Sequence, residues 1–137
     1  MKRMLLIILI SGILRTLQAP SYLVVYIPIS EKISAYDALI KAVTYVESNH
    51  GKYIYNAEEK AVGWFQITPV RVKHYNSLKG ADYKLEDFYD YELSRDMFVY
   101  FAQGRSYESV AKSWNGSGYM TKIYWEKVLK QLVKQQL

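Results

Sequence analysis

Cysteine is absent from the 137 residues, which excludes a disulfide framework and a lipid-bearing cysteine alike. Histidine is nearly absent too: His50 and His74 stand alone, and with no His-Glu-x-x-His pattern and no cysteine cluster a catalytic zinc has little support. No metal or other cofactor is therefore expected. There is no phosphate loop and no Gly-x-Ser-x-Gly turn. Internal repeats, low-complexity tracts and a dividing linker are missing as well. An excess of one charge is also largely missing. The formal charge is +5, but setting aside Lys2, Arg3 and Arg15 leaves 15 basic against 13 acidic residues, too even a balance to point to nucleic acid. The modest positive remainder favours approach to an anionic surface.

A long hydrophobic run is lacking. Met4 to Ile10 continues past Ser11-Gly12 to Leu14, short of the roughly 20 residues of a membrane span. With Lys2 and Arg3 ahead of it, the run has the charged-then-apolar order of a secretory signal peptide. We expect residues 1–19 to be such a segment, cut near Ala19, with export to the periplasm, cell envelope or beyond. A cut near Ala35 is the second option. A third is a retained anchor or core helix, since Leu23 to Ile29 is also apolar, and only that option brings the protein to a membrane. Residues 20–137 form one expected domain. Without disulfides its stability rests on core burial, for which fourteen Tyr and three Trp are available.

What is present reads as helices. Ser34-Ala35-Tyr36-Asp37 has the form of a capping box and opens a segment with Ala38, Leu39, Ala42, Val43 and Val46 at helical spacing. A helix is expected over 35–49, stopped by Gly51, with Glu47 emerging at the edge of the buried stripe. Residues 51–62 lack a helical stripe and read as a loop or short hairpin. Thr68-Pro69 reads as an N-cap and first helical residue, with a short helix over 70–75 and a polar connection over 76–82. One or two helices follow between Leu85 and Ala102. Ser106 caps another over 107–114, broken by Asn115-Gly116-Ser117-Gly118. An amphipathic helix from about Tyr119 closes the chain.

Three short motifs carry the candidate chemistry: Glu47-Ser48, Gly63-Trp64-Phe65-Gln66-Ile67 and Trp114-Asn115-Gly116. A carboxylic acid keeps its proton near neutral pH only if burial disfavours its charged form. Glu47, beside an apolar helix face and approached by Trp64 and Phe65, suits that role, and Ser48 is placed to orient it. Gly63 lets the backbone bend closely, whether past a ligand or simply into the next helix. Gln66 offers an amide that both donates and accepts. Asn115 either binds a ligand or fixes the loop as a helix cap, and Tyr119, Tyr124 and Trp125 are candidate flat faces for a ring-shaped ligand.

In their order and spacing these motifs resemble those of the soluble lytic transglycosylase family of the lysozyme-like superfamily, over about residues 35–130. The resemblance implies an all-α, lysozyme-like domain, with the loop or hairpin lining its cleft, that cuts the glycan strands of peptidoglycan. It implies that Glu47 protonates the oxygen leaving C1 of N-acetylmuramic acid and then, as carboxylate, takes the proton of the C6 hydroxyl as a 1,6-anhydro ring closes. It places Gln66 near the scissile bond. The family usually has Ala and Tyr where Ser113 and Trp114 stand here. An indole N–H donates but cannot accept, so the role of that Tyr hydroxyl is altered. If Glu58 or Glu59 instead holds a water across the ring, the scaffold is a hydrolytic muramidase of the goose-type lysozyme kind. A wall-binding or assembly module without turnover is the reading from a different class. The small size suggests a partner protein from an envelope machine or a phage.

Overall fold

The computed structural model describes residues 35–136; the expected signal segment and Ser34 lie outside them. The chain is mostly helical, with five α-helices, one 3-10 helix and a hairpin of two short strands among the described residues. Helix α1 (Asp37–Ser48) buries Leu39, Ile40, Ala42, Val43, Thr44 and Ser48. The buried stripe is rotated from the expected one: Ala38 is exposed and Ile40 is buried. Ile40, Val43, Thr44 and Glu47 therefore share a face by helical spacing, and Glu47, half-buried, lies at the edge of the buried stripe as the sequence suggests. The helix starts at Asp37 with Tyr36 at its N-cap and no side-chain cap. Asp37 pairs instead with Arg95 at 3.0 Å, and the Tyr36 hydroxyl donates to the Ala102 carbonyl at 2.7 Å.

Asn49, His50 and Gly51 all take positive φ, at 51°, 56° and 80°, and turn the chain sharply out of α1. Strands β1 (Tyr55–Asn56) and β2 (Ala61–Val62) pair antiparallel, Tyr55 with Val62 and Asn56 with Ala61. The Asn56 Oδ1 accepts from the backbone of Glu58 at 3.0 Å and so fixes the hairpin loop. Val62 and Ile67 then bond to each other in both directions, at 3.0 and 2.8 Å, closing a tight turn over 63–66. Gly63 is required in it. Its φ is +76°, and a Cβ there would lie 2.2 Å from the Phe88 carbonyl oxygen.

Helix α2 (Pro69–Lys79) opens as the sequence suggests, with Thr68 accepting from the Arg71 backbone and Pro69 in the first turn. It runs four residues beyond the expected end. Asn76 is not a terminator, since its side chain bonds the backbone N–H and carbonyl of Tyr83; the stop is Gly80, left-handed at φ 63°. A 3-10 helix (Leu85–Tyr89) buries Phe88. Asp90 then caps α3 (Tyr91–Ala102) and Ser106 caps α4 (Tyr107–Asn115). Helix α5 (Met120–Lys134) packs on both α1 and α4. The core centres on Phe65, Phe98 and Trp114, with ring centroids 5.2 Å apart for Phe65–Phe98 and 4.9 Å for Phe98–Trp114. The second and third motifs are thus fastened to one aromatic cluster, and the tight turn, the start of α2 and the end of α4 form a cavity with α1. None of the helices among the described residues is long and apolar enough to cross a membrane.

Candidate active site

The cavity has a volume of about 510 Å³ and is lined by Glu47 of α1, Glu59 of the hairpin loop and Gln66 of the tight turn. The first turn of α2, including Arg71, and the end of α4, Trp114 to Gly116, complete the wall. Three chain segments far apart in sequence therefore meet at one carboxyl group. The Glu47 Oε1 accepts a hydrogen bond of 2.6 Å from the Tyr124 hydroxyl of α5, and Tyr124 is itself buried. Burial pushes the Glu47 carboxyl from its ordinary 4.5 up to about 7, against the Tyr124 hydrogen bond and the charge of Arg71. Glu59 adds to the rise, and Lys127 opposes it. Desolvation disfavours the anion more than the donors restore it. At neutral pH this carboxyl is poised to give a proton or to take one, which is the condition for efficient general acid–base work. Burial, reinforced by the nearby Glu47 charge, holds the Tyr124 phenol well above its usual range, so it stays a hydrogen-bond donor.

Arg71 is held by the third motif. Its Nη2 donates to the Trp114 carbonyl at 2.6 Å, and its guanidinium carbon lies 3.9 Å from the centroid of the Trp114 ring, a stacked cation–π geometry. The Trp114 Nε1 donates to the Phe65 carbonyl at 3.1 Å. The indole N–H is thus spent on tying α4 to the tight turn. Trp114 is a buried strut that also carries Arg71, and the hydroxyl bonded to Glu47 is that of Tyr124.

No family model, curated protein or solved structure matches the chain.

Of the residues singled out in the sequence, Glu47, Gln66, Trp114 and Asn115 line the cavity. Gln66 has φ 49°, and its Nε2 donates to the carbonyls of Tyr53 at 3.1 Å and Gly63 at 2.9 Å. That fixes the amide with its oxygen as the remaining polar group. Asn115 is the exposed last residue of α4, and the cap beyond it is Gly116. Ser48, Gly63 and Tyr119 are not brought to the cavity wall. The Ser48 Oγ donates to the Trp64 carbonyl at 2.8 Å and accepts from the Gly51 N–H at 2.9 Å; it forms no hydrogen bond to Glu47. Gly63 is packed under Phe88, and Tyr119 is 74% exposed ahead of α5. Glu59, weighed with Glu58 as a second carboxylate, reaches the cavity. Among the described residues no cluster of three or more His, Asp or Glu could hold a metal ion.

Sequence reading missed Arg71 and the role of Tyr124. Both left a signal. Thr68 at the N-cap fixes Arg71 in the first turn of α2, next to Gln66 and the motif's end. Tyr124 shares a buried stripe with Val128, one helical turn away, and a tyrosine buried there needs a partner for its hydroxyl.

Proposed function

We propose that the protein is a lytic transglycosylase with a lysozyme-like fold, acting on the β-1,4 bond between N-acetylmuramic acid and N-acetylglucosamine in peptidoglycan. The observation that carries this reading is Glu47: a carboxyl in a sugar-sized cavity, held near pH 7 by burial and bonded by a single phenol. In the first step the Glu47 proton moves to the glycosidic oxygen, the C1–O bond breaks, and positive charge develops at C1. The C6 hydroxyl oxygen of the same sugar then bonds to C1 while its proton returns to Glu47. One carboxyl serves both steps, so a second is not required. Tyr124 stabilises the intervening carboxylate by donating to it. The fixed Gln66 amide and Asn115 at the rim offer polar contacts to sugar substituents.

Glu59 favours a second reading. A hydrolase needs a second carboxylate as its base, and Glu59 lines the same cavity as Glu47, which would make the protein a muramidase. Mass spectrometry of fragments released from purified peptidoglycan separates the two. Anhydro-muropeptides from the unsubstituted protein and none from Glu47→Gln support the transglycosylase; fragments heavier by one water support the hydrolase. No fragments from either protein sink both and favour a wall-binding role.

A further inference from the structure

We propose that Arg71 is the positioning residue of this site: clamped on Trp114, its guanidinium faces Glu47 across the cavity and stabilises the carboxylate left after proton donation. The role given to that carboxylate rests on the function proposed above, whereas the coupling of the two side chains does not.

The clamp is what makes a defined geometry possible. Pro69 and Thr68 set the start of α2, the Trp114 carbonyl takes Nη2, and the indole face takes the cation at 3.9 Å. A free arginine samples many rotamers; this one is held on two sides. Among the described residues no buried side-chain polar atom lacks a partner, so the remaining guanidinium N–H groups open on the cavity they line. Arg71 and Glu47 are not in a direct ion pair among the described residues. That separation matters, because an arginine in contact lowers a carboxyl by about one to three units, and Glu47 would then be ionised at neutral pH with no proton to give. Held across the cavity, Arg71 moderates the effect of burial without cancelling it.

The other groups facing Glu47 are Tyr124 and Lys127 of α5 and Glu59 of the hairpin loop. Lys127 is exposed, so solvent and salt screen it. Arg71 is half-buried and is the cation that the cavity screens least. The Trp114 ring thereby acquires a function in this chain: it is the platform that aims the charge. Without Arg71 the carboxyl becomes a weaker acid and resists forming the anion on which the second step depends.

The test is a ¹³C NMR titration of the Glu47 carboxyl in the full chain, in Arg71→Met and in Arg71→Lys. The expected result is an upward shift of the Glu47 midpoint in Arg71→Met, smaller than the roughly one unit a contacting arginine would give, and largely reversed in Arg71→Lys. An unchanged midpoint in folded Arg71→Met overturns the inference. If that variant does not fold, the Arg71 Nε signal of the unsubstituted chain decides. An inflection at the Glu47 midpoint that vanishes in Glu47→Gln supports the coupling, and a flat signal overturns it. Glycan release is scored separately. A shifted midpoint in a protein that never cleaves peptidoglycan leaves the coupling standing and removes the transglycosylase, whereas cleavage with an unshifted midpoint does the reverse.

Discussion

The Tyr124 hydroxyl donates to the Glu47 Oε1 at 2.6 Å, joining α5 to α1 across 77 positions of sequence. Each group explains the other. A buried carboxyl needs a donor and a buried phenol needs an acceptor, and the packing of α5 on α1 supplies both at once.

Removing that bond while keeping the ring isolates its effect. The hydrogen bond favours the charged form of Glu47, so Tyr124→Phe is expected to raise the Glu47 midpoint above 7. Hydrogen bonds to charged groups are worth about 1.5–3 kcal/mol, which sets the expected loss of turnover at roughly tenfold or more. Carboxyl titration and muropeptide release across pH 5 to 9 measure the two effects. A midpoint that stays put, or one that falls, contradicts the assignment of this bond.

Glu47 also makes the fold sensitive to pH. The folded carboxyl keeps its proton to about pH 7, whereas the unfolded chain releases it near 4.5. Between those values the folded state holds more protons, so this group's contribution to stability falls as pH rises. The cost is complete above pH 7 and amounts to about 3 kcal/mol. Glu47→Gln removes the titration and keeps the shape. It is expected to abolish cleavage, to melt at a higher temperature than the unsubstituted protein at pH 8, and to match it at pH 4. Equal melting temperatures at both pH values would show that burial does not perturb this carboxyl.

Much of the scaffold was legible because its signals are local. Thr68-Pro69 and Ser106 announce helix starts that the structure keeps, and residues 51–62 form the hairpin that their lack of a helical stripe suggests. The end of α2 was not legible. Asn76 looks like a breaker in sequence, yet its amide is satisfied by Tyr83, and Gly80 ends the helix. Glu47 itself stood out, as did Gln66, but the groups that tune the acid did not. Arg71 and Tyr124 act through contacts that span 43 and 77 positions, and no periodicity encodes which buried tyrosine meets which carboxyl. Gly63 was noted for a tight bend, which the structure has, but nothing in the sequence signalled that the backbone it approaches there is the Phe88 carbonyl.

That approach predicts a stability effect without reference to any substrate. A Cβ at Gly63 would stand 2.2 Å from backbone, in a φ that side chains disfavour. The Phe88 carbonyl cannot swing aside freely, because it accepts from the Ser94 Oγ at 2.7 Å inside the core. Gly63→Ala is expected to cost about 3 kcal/mol or more, read by denaturant unfolding. A loss within experimental error would mean that the tight turn relaxes away from the 3-10 helix.

Ser48 distinguishes a structural neighbour of the acid from a participant in the chemistry. Its hydroxyl is 1% exposed and links the Thr44 carbonyl of α1, the Gly51 N–H of the exit turn and the Trp64 carbonyl of the second motif. With no bond to Glu47 in that set, Ser48 acts by holding the exit of α1 against the second motif. Ser48→Ala leaves the Gly51 N–H and the Trp64 carbonyl without their partner, at a cost of roughly 2 kcal/mol. The expected result is a lower melting temperature with the Glu47 titration midpoint unchanged. The opposite pattern, an unchanged melting temperature with a displaced midpoint, would restore Ser48 to the role of orienting the acid.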